Sequence, residues 1–384
     1  MKIGYLHVGP QEHGLHRYGR LLAEEAKTRD NCAVIEANIL LSKNWWQNLI
    51  TLYRAAQQFA DVDVVHFQYN KAIWGEALSI LNLIIFACSC KASLVVTMHD
   101  VYWEQFPFTW SRPITYLKAM YGPKALAIRF LISQMNKVFV CTEQELNRLQ
   151  SVSSMRHSIE KKVVTIPHFV EDRKIYLNTD QIRQSLQLEQ KRVITLLGWI
   201  HFRKGHHLLL EALPKLPADT EVIFAGKANK RAEDFLEKLV TTAKEFNVAD
   251  RLKITGYLSE EDLERYITVT DIAVCPFSKC SASGSLSTWI SISHPKIVAY
   301  KIPQIEEYNK LEPGAIHTFE SYNSDSLVDI LMELLSDKKK TENTAVKRLQ
   351  DRLNMANIFD RHLNSYAQIF DLKKQKLSYK ILKI

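Results

Sequence analysis

The chain has 384 residues, of which 46% are hydrophobic and 24% charged, and a formal net charge of +8. At roughly 100–200 residues per domain this length points to two domains, and the composition is that of a globular protein and excludes a low-complexity or disordered chain. The positive charge comes without a helix-turn-helix, RNA-recognition or zinc-finger pattern, so nucleic acid is not expected as a partner.

The opening MKIGYLHVG runs directly into a strand pattern, without the basic and then apolar run of a secretory leader. Short β-branched runs follow at 2–8, 32–39, 62–68, 93–100 and 137–142, each trailed by a helix-like stretch. Strands that alternate with helices imply a parallel sheet covered on both faces, and so a doubly wound Rossmann-like domain over residues 1–170. Within it, the apolar run Ala77 to Cys90 is interrupted by Ser79, Asn82 and Ser89 and falls short of the roughly 20 residues that cross a bilayer, so it reads as a buried helix. Between Gln105 and Thr142 stand Arg112, Lys118, Lys124, Arg129 and Lys137 with no acidic residue, interleaved with aromatic side chains. Such a mixture suits an anionic membrane surface, or merely a solvated face.

Residues 171–190 are polar and charged and read as a linker region. The strand-helix alternation restarts at 192–199 and continues through 220–226, 252–258, 271–277 and 296–300, giving a second Rossmann-like domain over 191–353. The closing segment 354–384 begins with helical spacing, free to pack back on either domain, and ends in a basic tail. Six scattered cysteines, with no CxxC pair, read as reduced and mostly buried thiols of a cytoplasmic protein.

In doubly wound sheets ligands sit beyond the carboxyl ends of the strands, so the chemistry is expected there. The loop after the first strand carries Gly9 and Gly14 and opens a helix whose amides form an anion site that Arg17 can reinforce. After Gly198 a short turn presents Arg203 and Lys204, two adjacent cations that suit a departing diphosphate. Past Pro276, small residues (Ser281, Ala282, Ser283, Gly284 and Ser285) leave backbone amides open to a phosphate or a sugar hydroxyl as a helix begins. Asp61 and Asp63 have the spacing of a metal-binding pair but precede a buried-looking strand; no metal and no cofactor is expected.

Several of these segments, in order along nearly the whole chain, resemble the retaining GT-B glycosyltransferases of family four: Gly14 to Tyr18, His66 to Tyr69, Val96 to Asp100, Thr165 to His168, Gly198 to Gly205 with Leu208 to Ala212, and Ile223 to Gly226. The resemblance implies a GT-B fold, two doubly wound Rossmann-like domains facing across a cleft. It implies that Lys204 contacts the donor diphosphate, that the amides from Ser283 through Gly284 and Ser285 to Leu286 bind its phosphate or sugar, and that the Gly14 loop closes over the phosphates. Gly198 and Gly226 fall in the same donor-side motifs. His99 is expected beside the transferred sugar, and His66, Tyr69 and Asp100 on the acceptor side. The chain departs from the family at two positions where glutamates are common, which hold Ser281 and Trp289, and at the usual arginine after Gly198, which is Trp199.

The expected reaction is transfer of a hexose from a nucleotide diphosphate sugar to a saccharide or lipid-linked saccharide, with retention of configuration, in polysaccharide biosynthesis. The expected location is the cytoplasm, with peripheral attachment at the inner face of the membrane. Two alternatives stay open: a nucleotide-sugar 2-epimerase of the same fold, and an inactive sugar- or partner-binding protein.

Overall fold

The computed structural model describes all residues except 12, 100, 229–231, 281–282, 338–341 and 382–384, and of residues 372–381 it describes the backbone alone. The chain forms two compact units, Met1–His168 with Met355–Ile384, and Phe169–Asn354.

The first unit holds six parallel strands: β1 (Lys2–Val8), β2 (Ala33–Ile39), β3 (Val64–Tyr69), β4 (Ser93–Met98), β5 (Lys137–Val140) and β6 (Val163–Thr165), ordered β2-β1-β3-β4-β5-β6. Ile3 pairs with Val34 on one side and Val64 on the other. The inner strands are buried on both faces because helices cover both, and Phe67, Trp74 and Phe86 pack together in a core that includes Leu52 and Leu131. The run read as one buried helix is a 3₁₀ turn, Glu76–Leu78, and an α-helix, Ser79–Ser89. Only one side of that helix is buried; Leu81 and Ile84 face solvent. The closing helix Met355–Ile381 belongs to this unit: Arg361 donates to the Thr165 carbonyl (2.9 Å) and the Tyr366 hydroxyl meets His66 Nδ1 (2.7 Å).

The second unit has β7 (Arg192–Leu197), β8 (Thr220–Ala225), β9 (Leu252–Ile254), β10 (Ile272–Cys275), β11 (Ile297–Tyr300) and β12 (His317–Phe319), ordered β12-β11-β10-β7-β8-β9. Residues 171–190, read above as a linker, contain the helix Thr179–Leu186 and are part of this unit, because Arg183 bonds the Val269 carbonyl (2.9 Å) and the Asp271 carboxylate (2.7 Å). The three-residue strands β6 and β12 were not legible in the sequence. None of the six cysteines is in a disulfide, and of the six Cys141 and Cys275 are buried, fewer than expected.

Strand order places the ligand ends. In the second sheet the order reverses between β7 and β10, and in the first between β1 and β3; a doubly wound sheet opens a crevice beyond the carboxyl ends of such strands. The Gly198–Gly205 and Pro276–Ser287 loops leave the reversal point of one sheet, and the Gly9–Gly14 and Asn70–Gly75 loops that of the other.

Candidate active site

In the second unit, close backbone approach draws the two loops together. Gly205 has φ of +80°, and a Cβ there would lie 2.3 Å from the Pro276 carbonyl oxygen. Gly226, after β8, sits so near β7 that a Cβ would lie 2.0 Å from the Gly198 carbonyl oxygen; only glycine fits. The turn Phe202–Lys204 is capped by the His201 imidazole, which accepts from the Arg203 amide at 3.1 Å.

This turn aims Lys204 across the reversal point. Its Nζ donates to the Ser285 hydroxyl at 3.2 Å and stands 4.2 Å from the centre of the Phe277 ring. Ser283 caps the helix Gly284–Ser291, accepting from the Leu286 amide at 3.3 Å, and lies 3.0 Å from the Ser285 hydroxyl. Among the described residues, a Cβ on Gly284 would meet nothing within 4 Å, so none of them fills the space over this helix start. An ammonium, two hydroxyls and the amide end of a helix dipole thus converge on one place, which is the chemistry of an anion site. Gly198, Lys204, Ser283, Gly284, Ser285 and Leu286 are brought together; Arg203 is exposed on the adjoining turn.

Beside it lies a group that sequence reading missed. Lys227 Nζ is 5.1 Å from the ring centres of both Trp199 and Tyr257, and these rings are 52% and 76% exposed. The three residues follow β7, β8 and β9, so adjacent strands deliver them to one edge of the site. Exposed aromatic faces around a cation form a platform for a flat ring. The signal was present in Trp199, read only as a missing arginine.

The opposite, amino ends of the same strands border a cavity of about 890 Å³. Its charges answer one another, Arg183 with Asp271 and Arg192 with Asp219, each at 2.7 Å. Its size does not make it the chemical site.

In the first unit His99 ends β4. Its amide bonds the Tyr69 carbonyl (3.2 Å), its Nε2 meets Gln68 Oε1 (2.9 Å), and its Nδ1 is 4.0 Å from Cys141 Sγ. With the amide oxygen as acceptor, the proton sits on Nε2 and Nδ1 keeps its lone pair. Burial pushes the imidazole down to about 3, so it is neutral at physiological pH. His99 and Tyr69 line a cavity of about 260 Å³ with Lys71, Tyr102 and Lys124. Tyr18, on the helix Gly14–Lys27, stands edge-on to His99 at 5.1 Å, so that helix begins on the same end of the sheet. Among the described residues, a Cβ on Gly14 would meet nothing within 4 Å, and Arg17 is half-buried on the first turn.

His66 does not fit the acceptor-side role expected of it. It is fully buried, and its ring nitrogens are held by Thr97 (2.8 Å) and Tyr366 (2.7 Å). It braces the core, 3.4 Å from the Gln68 that orients His99. Gln68 was missed as a site residue; its alternation with His66 on β3 was the available clue. Asp100 and Ser281 lie outside the described residues. Asp63 is taken up by the fold, accepting from the Lys2 amide at 2.8 Å.

Residues 178–348 match the model of a family described as glycosyl transferases group 1. Over 156 residues, 40% of this chain, the sequence is 26% identical to a D-inositol 3-phosphate glycosyltransferase of Mycobacterium sp. (strain JLS), and the match covers 34% of that protein. The chain thus spans about a third of the length of the curated relatives it matches. Among solved structures, HepE of Anabaena in complex with UDP superposes with a TM-score of 0.73 at 15% identity, over 96% of this chain and 100% of that one. WaaG, a glycosyltransferase involved in lipopolysaccharide biosynthesis, superposes with a TM-score of 0.61 at 13% identity, over 96% and 99%.

The fold is GT-B. Against that GT-B frame, Trp289 is informative: its indole is fully buried and packs edge-on to His294 at 5.2 Å. The position at which the resemblance in sequence leads one to expect a glutamate is here part of the core.

Proposed function

We propose that the chain is a retaining hexosyltransferase that takes a hexose from a nucleotide diphosphate sugar and places it on a saccharide or lipid-linked saccharide in polysaccharide assembly. The observation that carries this reading is the 3.2 Å contact of Lys204 with Ser285 at the open start of the helix Gly284–Ser291. When the sugar leaves, negative charge grows on the β-phosphate, and a fixed ammonium and helix amides meet it without reorganising. That charge compensation comes from the protein, so the proposed mechanism needs no metal. Trp199 and Tyr257 supply a surface for the nucleobase, and HepE, bound to UDP, makes uridine nucleotides the first to test. His99, neutral and oriented by Gln68, is the residue proposed beside the transferred hexose.

The test is incubation of the pure protein with UDP-, GDP- and ADP-hexoses and saccharide acceptors, with and without EDTA, with the product's anomeric configuration read by NMR. Transfer with retention, undiminished by EDTA, is expected. Return of an intact nucleotide joined to an epimerised sugar assigns the epimerase instead; binding without turnover assigns an inactive GT-B protein, the reading to which the buried Trp289 lends weight.

A further inference from the structure

Segment 102–121 places apolar side chains where a folded protein has no internal use for them. Trp103 and Phe106 fasten the irregular stretch before the helix Pro113–Tyr121 to that helix, Trp103 Nε1 donating to the Ala119 carbonyl at 3.2 Å and the Phe106 amide approaching Met120 Sδ at 3.4 Å. Met120 is the only buried residue of the helix Pro113–Tyr121. Ile114, Leu117 and Tyr121, spaced i, i+3, i+7, are 66%, 54% and 50% exposed, and they form one stripe. Trp110 precedes them at 89% exposure, held edge-on to Phe108 at 5.2 Å. Scattered exposed apolar residues are ordinary; a helical stripe extended by an exposed indole is an interaction surface.

The charge on this face selects the partner. Of the five cations between Gln105 and Thr142, Arg129 is turned inward, stacked 5.1 Å and 4.9 Å from the ring centres of Trp103 and Tyr121 and bonded to the Met120 carbonyl. Arg112, Lys118 and Lys124 are left on the surface around the stripe, in a stretch of sequence with no carboxylate. The helix Pro123–Gln134 packs against this one, Ser79–Ser89 against Pro123–Gln134, and Trp45–Gln58 against Ser79–Ser89; the last two also turn apolar residues outward, Trp46, Ile50 and Tyr53 on Trp45–Gln58 and Leu81 and Ile84 on Ser79–Ser89. Rings of tryptophan and tyrosine, aliphatic side chains between them and cations at the margin match the boundary of an anionic bilayer, where rings sit at headgroup depth and lysines pair with lipid phosphates. Among the described residues no helix is long and apolar enough to cross a membrane, so such binding lies on the surface.

We propose that the outer face of the first unit, centred on Trp110 and the helix Pro113–Tyr121, docks onto an anionic lipid surface. The inference uses nothing from the donor site and stands apart from the proposed reaction.

Vesicle flotation tests it, with the full chain and vesicles of phosphatidylcholine alone or with about one-third phosphatidylglycerol. The wild-type protein is expected to float with the anionic vesicles at low salt, to float far less with neutral ones, and to be released as salt is raised. Arg112→Gln with Lys118→Gln is expected to lower partitioning about 25-fold, roughly fivefold per charge. Trp110→Ser with Leu117→Ser is expected to abolish what remains at intermediate salt. All four are exposed, so unchanged melting temperatures separate lost docking from lost folding. Equal partitioning onto neutral and anionic vesicles, no partitioning at all, or a concentration-dependent dimer that the Trp110/Leu117 double variant dissociates, would each overturn it, the last by assigning the face to a second copy of the chain.

Discussion

Lys204 Nζ and Ser285 Oγ lie 3.2 Å apart, and this contact joins the loop after β7 to the first turn of the helix that follows β10. Sequence separates the two residues by 81 positions; the reversal of strand order between β7 and β10 brings them together. A cation is thereby placed at the positive end of a helix. An ammonium at the amide end of a helix is an arrangement that suits an anion.

The two glycines of this site give opposite expectations. Gly226→Ala forces a methyl group to within 2.0 Å of the Gly198 carbonyl oxygen, and a loss of about 3 kcal/mol of stability is expected from the displaced strand end. At Gly284 the added methyl meets none of the described residues within 4 Å, so stability should change by less than about 0.5 kcal/mol, while nucleotide affinity falls because the space over the amide is filled. Thermal melts with and without nucleotide distinguish the two; an equally unstable Gly284→Ala contradicts the assignment of that space to ligand.

His99, His206 and His362 are each pushed down to about 3 by burial, against an unfolded value near 6.5. Between pH 6.5 and 3 the unfolded chain therefore binds more protons than the folded one, and stability rises with pH across that window. The expected slope is about 1.4 kcal/mol per pH unit for each such histidine, with no contribution from them above pH 7. Urea titrations from pH 7 to 4 read this slope, and His362→Phe should flatten it. The same shift predicts that a pH profile of turnover carries no inflection from His99 above pH 5.

Trp199→Ala and Tyr257→Ala remove exposed rings that no core contact requires, so folding should be unchanged. Base stacking on such rings contributes about 1–3 kcal/mol, so calorimetry should find roughly tenfold weaker nucleotide binding in either variant. Affinity for inorganic pyrophosphate should stay the same, since it carries no base. Equal losses for both ligands would move the platform's role from the base to the phosphates.

What the sequence made legible follows from what each residue does locally. Ten of the twelve strands announce themselves as β-branched runs, because a parallel sheet covered on both faces needs no polar alternation. The strands β6 and β12, with three residues each, were missed, while β9, equally short, was read within the longer run 252–258. Lys204 and the 283–286 turn could be singled out from sequence because a cation and small residues follow strand patterns there, and the structure brings them together. Gln68, Lys227 and Tyr257 were not, because their roles come from neighbours on adjacent strands that only the topology supplies. His66 was misread for the same reason: the partner that removes it from the surface, Tyr366, lies 300 residues away on the closing helix.

The most direct measurement of the central claim is isothermal titration of the wild-type protein and of Lys204→Ala with UDP, GDP, ADP and the matching hexose conjugates. One nucleotide series should bind the wild-type chain, and Lys204→Ala, with an unchanged melting temperature, should bind it roughly 100-fold more weakly, the loss expected when one charged contact to a phosphate is removed. Lys204→Arg should recover part of that loss, since its charge remains while its planar fork meets the phosphate differently. Wild-type affinity in Lys204→Ala would contradict the placement of the diphosphate between this turn and the helix Gly284–Ser291.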